Sequence, residues 1–184
     1  MSFPTTNAFI HYIKGWDDTT RSHPCMKWFE DYTMLFNSKE MFDKKYSEWH
    51  TDDYKYQKST GEVIKGGAEA FEAVKQTYAP FKGTNHEPNW LCCWETEQGW
   101  EMVGQAVMFG NLQAPGGSGQ VHADMKGDKW DVAIPSAFHF EYVKDPSGPS
   151  PGIKLKRTEV FGDSAPVVVE MLKRGMLKPE QLLS

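Results

Sequence analysis

A helix, a second short helix, a strand and a third helix follow one another between Pro24 and Phe81, and this order limits the possible folds most strongly. Apolar residues recur at three- and four-residue spacing after Pro24, a residue suited to the first position of a helix. An aromatic strand is predicted over 49–58, with a turn at 59–61. The next helix opens at Gly66 and ends at Pro80. The apolar faces comprise Trp28, Tyr32, Leu35 and Phe36, then Met41, Phe42 and Tyr46, and finally Phe71, Val74 and Tyr78.

The second half of the chain is rich in strand-forming residues. Strands are predicted over 90–94, 100–112, 137–143 and 153–161, followed by a helix from Ser164 to Leu172. In the third of these strands Phe138, Phe140 and Tyr142 alternate with His139 and Glu141, so we expect the aromatic residues to face inward. Residues 113–127 form a glycine-rich connection that we expect to be mobile and to gate a cavity.

This order of elements resembles the nuclear transport factor 2-like superfamily, over about residues 24–175. The matching positions are Asp52-Asp53 at the first strand, 61–66 before the third helix, His86 at the long hairpin, and 159–163 at the end of the sheet. The resemblance implies an α+β fold in which a curved mixed or antiparallel sheet wraps around three N-terminal helices. It forms a cone with an internal pocket. We therefore predict an N-terminal arm (1–23), one domain (24–175) and a C-terminal tail (176–184).

Composition narrows the classes of partner. A net charge of −5 without a basic run argues against nucleic-acid binding. No apolar stretch is long enough to span a membrane, and the first residues lack the pattern of a secretory leader. Cys25, Cys92 and Cys93 cannot build a disulfide framework, which favours a reducing cytoplasm. The histidines show no metal-binding spacing, and no cofactor motif is present. Aromatic residues make up 14% of the chain, which suits either a core or an apolar pocket.

The resemblance assigns candidate catalytic residues to the pocket: His86, Tyr54 and Asp53. His86 can transfer protons near neutral pH, or it is a loop histidine. Tyr54 can donate to a developing oxyanion, or it is a core residue. Asp53 becomes a base if it is buried, or it belongs to a solvated turn. Candidate substrate-binding residues are Tyr32, Asn37, Tyr56, Trp90, Met108, Phe138, Phe140 and Glu159.

Two enzymes of the superfamily provide specific expectations. Compared with scytalone dehydratase, the pocket tyrosine corresponds to Tyr56, whereas the helix carboxylate is replaced by Asn37 and the second histidine is replaced by apolar residues 132–134. Compared with ketosteroid isomerase, the first-helix tyrosine corresponds to Tyr32. The position of that enzyme's general-base aspartate falls near Lys58, so this chain has no aspartate to match it. For each of the two reactions, the chain therefore lacks at least one group on which that reaction depends.

The sequence thus predicts a cofactor-independent isomerase, cyclase or dehydratase that acts on a small apolar polyketide- or terpenoid-like molecule. The alternative is a non-catalytic module of the same fold that binds a small molecule or dimerises. A homodimer is predicted through the convex face of the sheet, because its expected outward residues are apolar. These residues are Leu91, Cys93, Val103, Val107 and Phe109.

Overall fold

A computed structural model describes residues 5–116 and 120–182, which form a curved mixed sheet with helices on its concave side. The strands are β1 (Ala8–Tyr12), β2 (His50–Gln57), β3 (Val63–Lys65), β4 (Phe81–Glu95), β5 (Gly99–Leu112), β6 (His122–Ala123), β7 (Lys129–Trp130), β8 (Val132–Lys144) and β9 (Ile153–Gly162). The helices are α1 (Asp18–Arg21), α2 (Pro24–Ser38), α3 (Tyr46–Trp49), α4 (Gly67–Tyr78) and α5 (Ala165–Lys173), with 3₁₀ turns at Glu40–Asp43 and Pro179–Leu182.

Seven of the described strands pair in the order β1-β4-β5-β8-β9-β2-β3. β2 runs parallel to β9, whereas the other pairs in this sheet are antiparallel. β6 and β7 form a separate hairpin. The predicted α+β fold, with a curved sheet around the N-terminal helices, is confirmed.

Helix α2 forms the centre of the core. Pro24 occupies its first turn, and Lys39 ends it with a left-handed backbone conformation (φ 67°). Trp28 is fully buried, and its indole N–H donates to the Ile153 carbonyl at 2.9 Å. This bond attaches the helix to β9. Burying a large aromatic side chain contributes about 1.5–3 kcal/mol, so packing rather than intrinsic helix propensity holds α2 in place.

The predicted alternation in β8 is confirmed. Phe138 and Tyr142 are buried on the concave side, and Phe140 lines the interior beside Phe138. His139 lies on the convex side, where its ring nitrogens are 2.8 Å and 3.0 Å from carboxylate oxygens of Glu159 and Glu101.

A bulge in β4 overturns the prediction that Trp90 faces inward. Pro88 pairs with Ala106 and Trp90 with Gln105, so one extra residue lies between them. Because side chains alternate along a strand, one extra residue reverses the faces of those that follow. Leu91 and Cys93 are therefore fully buried, contrary to the prediction that they lie on the convex face.

The other predicted convex residues are arranged less uniformly. Val103 and Val107 are partly exposed. Phe109 is buried on that side, where its ring centroid lies 6.4 Å from that of Trp130 in the β6–β7 hairpin. The apolar convex face is thus smaller than the sequence predicts.

The N-terminal segment contributes a strand to the sheet. β1 pairs antiparallel with β4, with Ile10 opposite Cys92 and Tyr12 opposite Trp90. Part of the predicted arm is therefore an edge of the sheet. Ile10 and Tyr12 remain largely exposed.

The glycine-rich connection is partly anchored, which corrects the prediction of a mobile segment throughout. Residues 117–119 lie outside the described residues. Further along, the Asp124 carboxylate accepts hydrogen bonds from the backbone N–H groups of Lys126 and Asp128 and from the Trp130 indole. Described residues of the connection do not line the cavity. Instead α5 contributes there, and its following residue Arg174 donates to Asp131 at 2.8 Å.

Candidate functional site

A cavity of about 410 Å³ lies between the sheet and helices α2, α4 and α5. This volume is within the range of small-molecule sites. The described lining residues contain no Asp, Glu, Lys or Arg, so the wall is apolar with scattered neutral polar groups. The aromatic and polar lining residues are Phe29, Tyr32, Thr33, Phe36, Tyr54, Tyr56, Ser59, Gln76, Thr77, Tyr78, Phe81, His86, Ser136, Phe138, Phe140, Thr158 and Ser164.

His86 lies on β4 and directs one ring nitrogen to the hydroxyl of Tyr78, at the end of α4. The distance from Nε2 to the Tyr78 hydroxyl oxygen is 2.8 Å. On its other side, Nδ1 lies 2.7 Å from Oδ1 of Asn37. An amide oxygen only accepts, so Nδ1 carries the proton, and Nε2 accepts from Tyr78. Burial lowers the pKa of His86 to about 4, so the ring is neutral at physiological pH.

Asn37 holds His86 from behind. Its Oδ1 also accepts from the His86 backbone N–H at 3.0 Å, and its amide donates to Asn85 at 3.0 Å. Asn85 in turn donates to Asp124 at 3.0 Å. This chain of bonds fixes which atom of the Asn37 amide faces His86. The imidazole tautomer is therefore set by residues outside the cavity.

A second buried pair lies at another part of the wall. The Tyr32 hydroxyl is 2.8 Å from Nε2 of His50, and Nδ1 of His50 lies 3.2 Å from the Tyr46 carbonyl oxygen. The same reasoning places the His50 proton on Nδ1. His50 is fully buried, and burial lowers its pKa to about 3. Tyr32 lines the cavity while His50 does not, so the histidine orients the phenol.

Three hydroxyls lie on the inner faces of β2 and β9. The Tyr56 hydroxyl donates to Thr77 at 3.2 Å. Tyr54 and Thr158 also line the cavity, and their buried hydroxyl oxygens make no hydrogen bond of normal geometry with the described residues. Burial raises the pKa of Tyr54, and the neighbouring Thr158 hydroxyl opposes part of that increase.

Within the described part of the chain, no group of His, Cys, Asp and Glu side chains is arranged to hold a metal ion. In that same part, no helix combines the length and hydrophobicity that a membrane span requires.

No protein-family model matches the sequence, and no curated protein matches it significantly. Solved structures do match. Aln2 from a Streptomyces species is 9% identical, with a TM-score of 0.57 over 79% of this chain and 93% of that chain. A candidate scytalone dehydratase from Novosphingobium aromaticivorans is 11% identical, with a TM-score of 0.55 over 79% and 86%. Hexachlorocyclohexane dehydrochlorinase LinA-type3 from Novosphingobium barchaimii is 14% identical, with a TM-score of 0.53 over 79% and 87%.

The chain shares the cone fold of these structures, which is the fold that the resemblance to the nuclear transport factor 2-like superfamily implies. At these identities the matches establish the cone and leave its chemistry open. The arrangement of side chains inside the cone therefore has to carry any conclusion about function.

Most of the predicted site residues line the interior of the cone. His86, Tyr54, Tyr32 and Tyr56 contribute polar groups to it, and three apolar residues of the predicted set line it as well. The latter are Met108, Phe138 and Phe140.

Four predicted site residues do not line the cavity. Asp53 is exposed and accepts from the Thr51 hydroxyl at 2.7 Å, because Tyr54 takes the inward position of β2. Glu159 lies on the convex side opposite His139. Trp90 is displaced by the β4 bulge, and Asn37 lies behind His86 rather than in the wall.

The sequence reasoning missed three residues that shape the site. Tyr78 belongs to the predicted buried stripe of its helix, and its position eight residues before His86 is a usable signal for a helix–strand contact. His50 has no metal-binding spacing that would single it out. Thr158 is a neutral residue of a strand, and no local pattern distinguishes it.

Proposed function

We propose that the cone performs cofactor-independent acid–base chemistry on a small, neutral and largely apolar molecule. The supporting observation is the pairing of the neutral Nε2 of His86 with the Tyr78 hydroxyl at 2.8 Å, inside a cavity whose described wall has no charged side chain. This arrangement provides a proton acceptor next to a proton donor, and dry surroundings strengthen both interactions with a ligand.

Each group has a distinct part in the proposed reaction. A carbonyl oxygen of the ligand accepts the hydrogen bond of Tyr78, which leaves the electron pair of Nε2 free. Nε2 then takes a proton from the carbon next to that carbonyl, and an enolate forms. The resulting imidazolium keeps its Nδ1–H bond to Asn37, which lies 2.7 Å away. Asn37 is a positioning residue, because it touches His86 and not the cavity.

The fate of the enolate decides the reaction type. Return of the proton to a different carbon gives isomerisation. Departure of a β-hydroxyl with the proton, as water, gives dehydration. Attack of the enolate carbon on a second carbonyl gives cyclisation. None of these routes changes the oxidation state of the ligand overall, so none needs an electron acceptor.

A binding module is the second candidate, and one observation favours it. The described cavity wall lacks a carboxylate, and a pKa of about 4 makes His86 a weak base. A protein of this kind would hold an apolar ligand without changing it. The free Cys25, Cys92 and Cys93 fit the reducing cytoplasm that we propose as the location under either function.

Hydrogen–deuterium exchange of carbon acids tests the proposal. The protein is incubated in D₂O with β-tetralone and related neutral bicyclic ketones, and loss of the signal next to the carbonyl is followed by proton NMR. We expect the wild type to accelerate exchange and His86→Ala to lose about 10²-fold or more of that acceleration. His139→Ala, a histidine change on the convex side of the same sheet, is the matched control and should retain it.

Two results contradict the enzymatic proposal. One is equal exchange with both variants, which would remove His86 from the reaction. The other is tight binding of the ketones without any acceleration, which would establish the binding module.

A further inference from the structure

Two hydroxyls in the cavity wall are buried without a partner. The Tyr54 side chain is fully buried, and Thr158 is 8% exposed. Neither hydroxyl oxygen makes a hydrogen bond of normal geometry within residues 5–116 and 120–182. Burial raises the pKa of the Tyr54 phenol, and the Thr158 hydroxyl lies close enough to oppose part of that increase. A buried hydroxyl without a partner loses its hydration and gains nothing in exchange. A bond between these two hydroxyls would use one of their two protons, so at least one proton remains for a group that the chain's own described side chains do not supply.

The strand register places these two hydroxyls together and away from His86. Thr158 lies opposite Tyr56 on the parallel neighbour β2, and Tyr54 precedes Tyr56 by two positions on the same inward face. His86 is on β4, and β5 and β8 separate β4 from β9. Three strand spacings correspond to about 14 Å along the sheet. The curvature of the sheet makes the path across the cavity shorter, and burial raises the pKa of Tyr78 with a further contribution from the Tyr54 phenol. The wall between the two positions includes Phe138 and Met108.

We propose that Tyr54 and Thr158 form a second oxygen-binding subsite, so that the ligand carries an oxygen at each end of an apolar body. The inference deepens the proposed function, on which it rests, by defining the substrate class. One oxygen bonds to Tyr78 beside His86, and the other is a carbonyl or hydroxyl that pairs with Tyr54 and Thr158. Diols, hydroxyketones and diketones with an aromatic or alicyclic body belong to this class.

The lack of charge in the described wall restricts the class further. A carboxylate or phosphate on the ligand would be buried without a cation to neutralise it, because the described lining contains no Lys or Arg. Both oxygens of the ligand are therefore neutral.

Stability measurements test the subsite without any ligand. Tyr54→Phe and Thr158→Val remove the unpaired oxygens and keep the shape of each side chain nearly constant. Because an unpaired buried hydroxyl contributes no internal bond, we expect the melting temperature of each variant to equal or exceed that of the wild type. A clear decrease in both variants would show that the hydroxyls have structural partners, and it would overturn the proposal.

Binding of matched ligands tests it directly. 4-Hydroxybiphenyl is compared with 4,4′-dihydroxybiphenyl, and β-naphthol with 2,6-dihydroxynaphthalene, by isothermal titration calorimetry. We expect the wild type to bind at least one diol about tenfold more tightly than its mono-hydroxyl partner. The Tyr54→Phe/Thr158→Val double variant should lose this preference and keep its affinity for the mono-hydroxyl ligand. Tyr12→Phe and Thr60→Val, both at exposed positions, are the matched controls.

The outcomes separate the subsite from the proposed function. Equal affinity for both members of each pair, or a preference that persists in the double variant, overturns the subsite alone. If none of the four compounds binds the wild type, the proposed small-molecule function fails together with the subsite. His86→Ala should lower the affinity for both members of a pair equally, because it affects the oxygen that they share.

Discussion

Replacing Asn37 by Asp should convert His86 from a neutral ring into one that is charged near neutral pH. The Asn37 oxygen lies 2.7 Å from Nδ1 of His86, so a carboxylate there would face the protonated ring directly. At an effective dielectric constant of about 20, two unit charges about 4 Å apart attract by about 4 kcal/mol. Since 1.36 kcal/mol corresponds to one pH unit, the pKa of His86 should rise from about 4 to about 7.

The substitution also affects the bonds behind the ring. The Asn37 amide donates to Oδ1 of Asn85, and Asn85 cannot turn its amide around without losing its bond to Asp124. A carboxylate would place two acceptors face to face, which costs about 1–3 kcal/mol. We therefore expect Asn37→Asp to be less stable than the wild type while its histidine becomes more basic.

NMR titration of ¹⁵N-labelled histidine measures the pKa in both proteins. Asn37→Leu is the matched control, because it removes the acceptor without adding a charge and should leave the pKa low. A pKa near 4 in folded Asn37→Asp would refute the assigned contact between Asn37 and His86.

Three further predictions concern the rest of the molecule. Lowering the pH from 7 to 5 should reduce the free energy of unfolding. Burial lowers the pKa of His50 to about 3 and that of His86 to about 4 in the folded protein. Between about pH 6.5 and pH 5, therefore, the unfolded chain binds protons at these two histidines and the folded chain does not. Each histidine lowers the free energy of unfolding by up to about 1.4 kcal/mol per pH unit. Equal urea-denaturation curves at the two pH values would contradict this prediction. Arg174→Met should destabilise the protein by about 3–5 kcal/mol in thermal denaturation, because the Asp131 carboxylate becomes unpaired while buried. Arg21→Met, which breaks a more exposed pair with Glu30, should cost less than about 1 kcal/mol, and equal losses would argue against a special contribution of Arg174. Light scattering should give about twice the chain mass of 21.0 kDa, since Ile10, Tyr12 and Phe161 expose apolar surface, and a single chain mass at micromolar concentration would rule out the homodimer.

Elements with a strong local period were predictable from the sequence. Helix α4 begins and ends within two residues of its predicted bounds, because Gly66 and Pro80 flank an unbroken apolar stripe. The inward face of β8 followed from strict alternation between Phe138 and Tyr142. In both cases one segment contains all the information that its orientation requires.

The faces of β4 were harder to predict, because one extra residue reversed them. Pro88 is a local signal for such a bulge, since proline cannot donate to the strand ladder. The exact position of the extra residue, however, depends on pairing with Gln105 and Ala106 in β5. Leu91 and Cys93 were therefore assigned to the wrong face.

The site itself depends on contacts between distant segments. His86 was predicted from its position, but its tautomer is set by Asn37, which lies 49 residues earlier in the sequence. The proposed subsite combines Tyr54 with Thr158, and their proximity follows from the parallel pairing of β2 with β9. Parallel pairing joins segments that are remote along the chain, so local patterns could not reveal it.

A crystal structure of the complex with β-naphthol is the most direct test of the central claim, that His86 and Tyr78 receive an oxygenated ligand inside the cone. We predict that the naphthol oxygen lies about 3 Å from the Tyr78 hydroxyl or from Nε2 of His86, with the rings against Phe138 and Phe140. A naphthol bound only on the convex face, or oriented with its oxygen away from His86, would contradict the account.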